Sequence, residues 1–149
     1  MKLRPLRAAD IDTLSHWLQR AAAEANCERW SSKAALREAT GQGHILVVSE
    51  DGPRALLEYE TESPARGAAQ VRFLAVEPER RRLGIGGRAA LALERRLGPS
   101  VSRLYVLVPE RLGLALYFWL RLGYRPLTQR ESSAPPEDGA AAWMVRKLR

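Results

Sequence analysis

The chain predicts a mixed α/β fold built on one central sheet. Three observations predict it. Strand-type and helix-type apolar runs follow one another in the order β-αα-βββ-α-β-α-ββ. No internal repeat and no long linker divides them. The length, 149 residues, suits one domain able to bury a core without staples. The expectation is a single domain over residues 1–149 with about seven strands and about four helices.

The elements follow in order. Leu3–Leu6 reads as a short first strand, and Pro5, which cannot donate to a ladder, puts it at an edge. Asp10 reads as the N-cap of a helix bearing Ile11, Leu14, Leu18, Ala21, Ala22 and Ala25 at helical spacing. Ser31 or Ser32 opens a second helix running to about Thr40, stopped by Gly41 and Gly43. Ile45–Ser49 is a buried-type strand, and Glu50-Asp51-Gly52-Pro53 turns it into Arg54–Thr61, making a hairpin. A turn at Ser63–Gly67 leads to a strand over Ala69–Val76. The next helix carries Leu83, Gly86, Ala90, Leu93 and Leu97 at 3-4-3-4 spacing and ends at Gly98-Pro99. Val101–Val108 is β-rich, and Glu110–Leu122 is a strongly apolar helix closed by Gly123. Tyr124–Thr128 and Ala142–Leu148 are the last strands, around a polar loop holding Ser132, Ser133, Pro135, Pro136 and Gly139.

Composition excludes several classes. At 46% hydrophobic and 28% charged, the chain is neither a disordered tail nor a fibrous repeat. A lone cysteine, Cys27, excludes an internal disulfide and fits a reducing compartment. His16 and His44 lie far apart, which argues against a His/Cys zinc site, and no metal is expected. The longest apolar stretch, Leu112–Leu120, is half what a membrane-spanning helix needs. No apolar run follows Lys2, Arg4 and Arg7, so a secretory signal is not expected either. The reading is a soluble cytoplasmic protein that does not enter membranes.

The net charge of +7 is concentrated. From Arg72 to Arg130 there are twelve Arg and four acids (Glu77, Glu79, Glu94, Glu110), whereas the rest of the chain balances to −1. That distribution suits a face that holds a polyanion. The Arg run has no interleaved aromatics and no nucleic-acid motif accompanies it, which argues against a nucleic-acid partner.

The passage Leu74-Ala75-Val76-Glu77-Pro78-Glu79-Arg80-Arg81-Arg82-Leu83-Gly84-Ile85-Gly86-Gly87-Arg88 runs strand, arginine-laden loop, then glycines that open a helix. Glycines let a backbone approach a ligand, and the first turn of a helix offers unpaired N–H groups to an anion. Arg81, Arg82 and Arg88 add formal charge beside them, so phosphate or pyrophosphate is the natural guest. Gly84-Ile85-Gly86-Gly87-Arg88-Ala89 also satisfies G-x-G-x-x-A, but a dinucleotide-binding turn follows its strand directly, and here Glu77–Leu83 intervenes. The plain alternative is an ordinary helix start with a solvated Arg run.

Arg81-Arg82-Leu83-Gly84-Ile85-Gly86 resembles the Gln/Arg-x-x-Gly-x-Gly/Ala pattern of the GNAT superfamily of acyl-CoA-dependent N-acetyltransferases. Leu74–Pro78 before it is family-like. So are Leu3-Arg4-Pro5-Leu6 with Ala9-Asp10, and the aromatic helix Ala115–Leu122 followed by Gly123-Tyr124. The resemblance covers nearly the whole element order. It implies the GNAT fold, with the sheet splayed between the strand ending at Val76 and the strand over Val101–Val108, and acetyl-CoA in the gap. The main chain of Leu74, Ala75 and Val76 would pair with the pantetheine arm. Arg81, Arg82, Leu83, Gly84, Ile85, Gly86, Gly87 and Arg88 would hold the pyrophosphate, mostly through N–H groups. Acetyl-CoA would be the acyl donor and a primary amine the acceptor, in a ternary complex without metal. Dimers are common in the family, so a homodimer stays open.

The catalytic groups depart from the family pattern. The Tyr that usually supplies a proton to the leaving thiolate is replaced by Trp119, whose indole N–H is no acid near neutral pH. Tyr117 and Tyr124 read as packing residues. Gln70 stands where some members carry a basic Glu, on one strand face with Arg72, Leu74 and Val76, bordering the cleft. Glu58 and Glu60 are carboxylate candidates, read rather as a solvated pair, and Leu112 stands near the place of a family Asn. No catalytic residue is therefore assigned. The acceptor is expected between the first two helices, near Trp17–Thr40, and the loop Gln129–Gly139. Acids there (Glu24, Glu28, Glu38, Glu131, Glu137, Asp138) read chiefly as solvated surface. The rival reading is a GNAT-fold module that binds acyl-CoA with little or no turnover.

Overall fold

The computed structural model describes residues 1–25, 27–109, 112–127 and 141–148. Seven strands and four helices follow the expected order: β1 (Lys2–Pro5), α1 (Ile11–Glu24), α2 (Lys33–Ala39), β2 (Ile45–Ser49), β3 (Pro53–Thr61), β4 (Ala68–Val76), α3 (Ile85–Leu97), β5 (Arg103–Pro109), α4 (Gly113–Arg121), β6 (Arg125–Pro126) and β7 (Ala141–Lys147). Short 3-10 turns at Ala8–Asp10, Glu28–Ser31 and Pro78–Arg80 join them. The sheet order is β1-β2-β3-β4-β5-β7-β6, with β1 and its Pro5 at an edge as expected. Two compact units share this chain: Met1–Glu58 with Phe73–Leu93, and Tyr59–Arg72 with Glu94–Arg149.

In the first unit the sheet is covered on both faces. Ile45 and Val47 of β2, Leu56 of β3, and Phe73 and Ala75 of β4 pack with Leu14, Leu18 and Ala22 of α1 and Leu36 of α2. Val48, Ala55, Leu74 and Val76 point the other way, onto Ile85 and Ala89 of α3. This is why Ile45–Val48 reads as an unbroken apolar run, since Ile45 and Val47 meet helices on one face, Val48 meets one on the other, and Leu46 is buried too. Ser32 caps α2 by accepting from the N–H groups of Ala34 and Ala35, and Gly41 takes φ +81° just beyond that helix.

Asp10 departs from expectation. Its side chain makes no cap bond to α1. It accepts from the Arg7 N–H at 2.9 Å and receives both guanidinium nitrogens of Arg4 at 2.7 and 2.8 Å, fastening β1 to the turn before α1. Burial alone would raise the Asp10 pKa, but the hydrogen bonds and charges of Arg4 and Arg7 outweigh it and hold the carboxyl below the usual range.

In the second unit β5 pairs in parallel with β4 over Ala68–Val71 and antiparallel with β7 from Arg103↔Lys147 to Pro109↔Ala141. Ala68, Tyr105 and Val145 form one buried cluster in it with Leu127 and Trp143. The apolar helix begins at Gly113, and Glu110 lies outside the described residues. Only Trp119 of α4 is buried, while Leu114, Tyr117 and Leu120 are exposed. The strand expected over Tyr124–Thr128 is two residues long, Thr128 lying outside the described residues.

Candidate active site

The arginine and glycine passage lies wholly in the first unit, where β4 hands over to α3. Alternation along β4 buries Phe73 and Ala75 and leaves Leu74 and Val76 half-buried. After Val76 the chain is pinned by Arg54: the Glu77 N–H donates to the Arg54 carbonyl at 2.8 Å, and the Arg54 guanidinium holds the Glu77 carboxylate at 3.1 Å. The chain then turns through Pro78–Arg80 and leaves by two left-handed residues, Arg82 at φ +69° and Gly84 at φ +79°. Such a conformation is ordinary for Gly84 but disfavoured for Arg82, and strain of this kind gathers at ligand clamps.

Gly84 directly precedes α3, its carbonyl accepting the Arg88 N–H at 3.0 Å. No described residue accepts from the N–H groups of Gly84, Ile85, Gly86 and Gly87. Such donors lie at the positive end of the helix dipole. Leu83 was expected on the apolar stripe of this helix. It precedes the helix instead and is 59% exposed, because the left-handed turn at Gly84 points the preceding residue away from the core.

The three flanking arginines are exposed. Arg81 pairs with Glu24 of α1 at 3.5 Å, and Arg88 pairs with Glu50 at 3.1 Å. Arg82 has no ion-pair partner among the described residues. Exposed pairs of this kind contribute roughly 0–1 kcal/mol, so their guanidinium groups are readily re-used by a stronger anion. The passage thus places four unclaimed backbone N–H groups and three exposed arginines at the head of α3, with Glu24 and Glu50 as partners that spacing along the chain did not reveal.

Of the candidate catalytic side chains, Tyr117 departs from its expected packing role and Tyr124 does not. Trp119 is 5% exposed, stacked edge-on against Tyr124 and Phe118 at centroid distances of 4.9 and 5.0 Å. Tyr124 is buried, as its packing reading requires, and donates to Glu94 Oε1 at 2.8 Å. Burial, then the charge and hydrogen bond of Glu94, push its phenol far above the ordinary tyrosine value. Tyr117 is not a packing residue: it is 59% exposed, with the Arg121 guanidinium over its ring. Gln70 is buried, and its Oε1 accepts from the Ser63 hydroxyl at 3.1 Å.

The two strand carboxylates part company. Glu60 is exposed beside Arg72 at 3.5 Å. Glu58 is not solvated, being 7% exposed and bound to the Arg29 guanidinium. Arg29 in turn lies 4.4 Å from the centroid of Trp30, which packs on Phe73. In the same unit a recess of about 370 Å³ is lined by His16, Trp17 and Arg20 of α1 and by Glu77, Pro78 and Glu79. Of the acceptor-zone acids, Glu131, Glu137 and Asp138 and the loop Gln129–Gly139 lie outside the described residues.

Among solved structures, the fold is similar to an acetyltransferase from Thermus thermophilus (TM-score 0.74, 18% identity, covering 98% of this chain and 96% of that one). It is also similar to the ribosomal-protein-S18-alanine N-acetyltransferase from Escherichia coli (TM-score 0.68, 21% identity, 99% and 93% covered). A GNAT-family acetyltransferase from Staphylococcus aureus matches with a TM-score of 0.70 at 13% identity, covering 99% of each chain. No protein-family model matches the sequence, and no curated protein does. The chain has the GNAT acetyltransferase fold.

Proposed function

We propose that the chain is a single-domain N-acetyltransferase that passes the acetyl group of acetyl-CoA to a primary amine by direct attack in a ternary complex. The observation that carries this reading is the cradle of four unclaimed N–H groups, Gly84–Gly87, flanked by Arg81, Arg82 and Arg88. It suits a pyrophosphate. Leu74–Val76, with Leu74 and Val76 half-buried and Ala75 buried, ends β4 just before the turn into it, and an amide-bearing pantetheine would run there as an added strand. The neighbours of like fold support acetyl transfer as the chemistry. Among the described residues no helix is long and apolar enough to cross a membrane.

No tyrosine or carboxylate here is an obvious acid or base, so positioning does most of the catalysis in this reading, with water as proton carrier. Holding amine and thioester in attack geometry can by itself supply much of an enzymatic acceleration. The burial of Trp119 and the locking of Tyr124 on Glu94 favour a second reading, a module that binds acyl-CoA with little turnover.

Two measurements test the proposal. CoA at about 100 times its dissociation constant should stabilise the fold by roughly 2.7 kcal/mol, a melting shift of about 5–10 °C. An amine panel with acetyl-CoA, read by free-thiol release, should give turnover. A flat melting curve sinks both readings, whereas a shift without thiol release leaves the binding module.

A further inference from the structure

Glu58 stands on the face of β3 that carries Leu56, opposite Ile45 of β2, inside the apolar layer under α1 and α2. A carboxylate in such a place is costly unless a cation answers it. The cation is Arg29, from the short turn Glu28–Ser31. The two partners are unequal, because the Glu58 side chain is 10% exposed and the Arg29 side chain 49%. Glu58 is fixed by its strand, while Arg29 ends a long flexible side chain at the surface. One face of its guanidinium rests on Trp30, whose own buried N–H has no acceptor among the described residues. A fixed carboxylate beside an aromatic face is how proteins recognise organic cations. Trp30 lies against Phe73, the residue before the stretch Leu74–Val76.

We propose that the Arg29–Glu58 pair is a cation subsite for the acceptor, occupied in the free protein by the chain's own guanidinium. A ligand ammonium takes Glu58 and the Trp30 face as Arg29 swings into water. This rests on the acetyltransferase reading and narrows it. The nitrogen held by Glu58 is kept charged, so it is not the nitrogen that attacks, which must be neutral. The acceptor is therefore an amine bearing a second positive charge. Carboxylates are repelled, and uncharged or singly charged amines gain nothing from the subsite once their only nitrogen has reacted.

The probe is 1,4-diaminobutane, with n-butanol as the uncharged comparator, and binding is read by calorimetry and melting shift with no acyl donor present. Arg29→Ala removes the internal competitor, so the diamine should bind it roughly ten- to hundredfold tighter than wild type, the scale of one charge-assisted hydrogen bond. Glu58→Gln should lose that binding, and n-butanol should bind none of the three. Equal diamine binding by wild type, Arg29→Ala and Glu58→Gln overturns the proposal, as does no binding to folded Arg29→Ala. If Arg29→Ala does not fold, the comparison of wild type with Glu58→Gln decides: lost binding supports the subsite, and unchanged binding overturns it. A flat melting response to CoA would instead fail the acetyltransferase reading and leave the diamine result standing.

Discussion

Tyr124 donates its phenolic O–H to Glu94, a residue thirty positions earlier, and the same carboxylate receives Arg146 at 3.4 Å. Arg146 also donates to the Leu122 carbonyl at 2.6 Å, so the end of α4, the end of α3 and β7 meet at one buried polar knot. The phenol of Tyr124 is committed to a structural hydrogen bond.

That knot sets a pH dependence. The folded pKa of Tyr124 is raised, so the folded state keeps its proton while the unfolded chain loses it near pH 10. Tyr124 thus stabilises the fold fully below about pH 10 and progressively less as pH climbs beyond it. Tyr124→Phe should lower stability by about 1–2 kcal/mol at pH 7, and that deficit should shrink between about pH 10 and 11.5. Urea unfolding of both proteins across that range checks it.

Asp10 sets the opposite slope. Its folded pKa is lowered, so its contribution is present above the unfolded carboxylate value and is lost as pH falls through the folded one. Asp10→Asn should cost about 3 kcal/mol at pH 7, because it leaves the Arg4 guanidinium and the Arg7 N–H poorly answered. The gap between the two proteins should narrow below about pH 4, as urea unfolding at pH 7 and pH 3 would show.

Gly84 separates the cradle from a plain helix start. Nothing lies within 4 Å of a Cβ built there, but its φ of +79° strains any other residue. Gly84→Asp should cost roughly 1–2 kcal/mol of stability and abolish the CoA-induced melting shift, since its carboxylate would face the phosphate. Arg95→Ala, exposed later on the same helix, should keep that shift. A normal CoA response in Gly84→Asp would reduce the loop to a helix cap.

Trp119 tests the leaving-group argument. If it stands where a proton donor usually stands, Trp119→Tyr should raise kcat, by up to about 10²–10⁴-fold, and Trp119→Phe should not. Its burial against Tyr124 and Phe118 predicts instead that both variants lose about 1–3 kcal/mol. Chemical unfolding beside steady-state thiol release distinguishes the outcomes: a Tyr variant that is less stable and no faster makes Trp119 a core residue.

The order of elements was legible because its signals are local. Ile45–Ser49 is bounded by turn residues at both ends, and Ser32 with Gly41 brackets α2. The strand–turn–helix order of the arginine and glycine passage was legible for the same reason, since its residues are consecutive. What escaped were pairings between distant elements. Arg29 reaches Glu58 across 29 positions and Tyr124 reaches Glu94 across 30, and no periodicity encodes such meetings. Asp10 was misread because a capping residue and a salt-bridged one share the same local pattern. Glu58 was misread because strand alternation with Glu60 says which residues share a face, but not how far a helix covers it.

The interleaving of the two units constrains how the protein can be cut. Each unit is discontinuous in sequence, since Tyr59–Arg72 belongs with the later segment and Phe73–Leu93 with the earlier one. A single break therefore cannot release either unit whole and free of foreign chain. During synthesis the first unit lacks its last strand residues and α3 until Leu93 has left the ribosome, by which time Tyr59–Arg72 is already outside without its partners. A split reporter that divides this chain at one point should accordingly leave a segment of one unit on the fragment that carries the other.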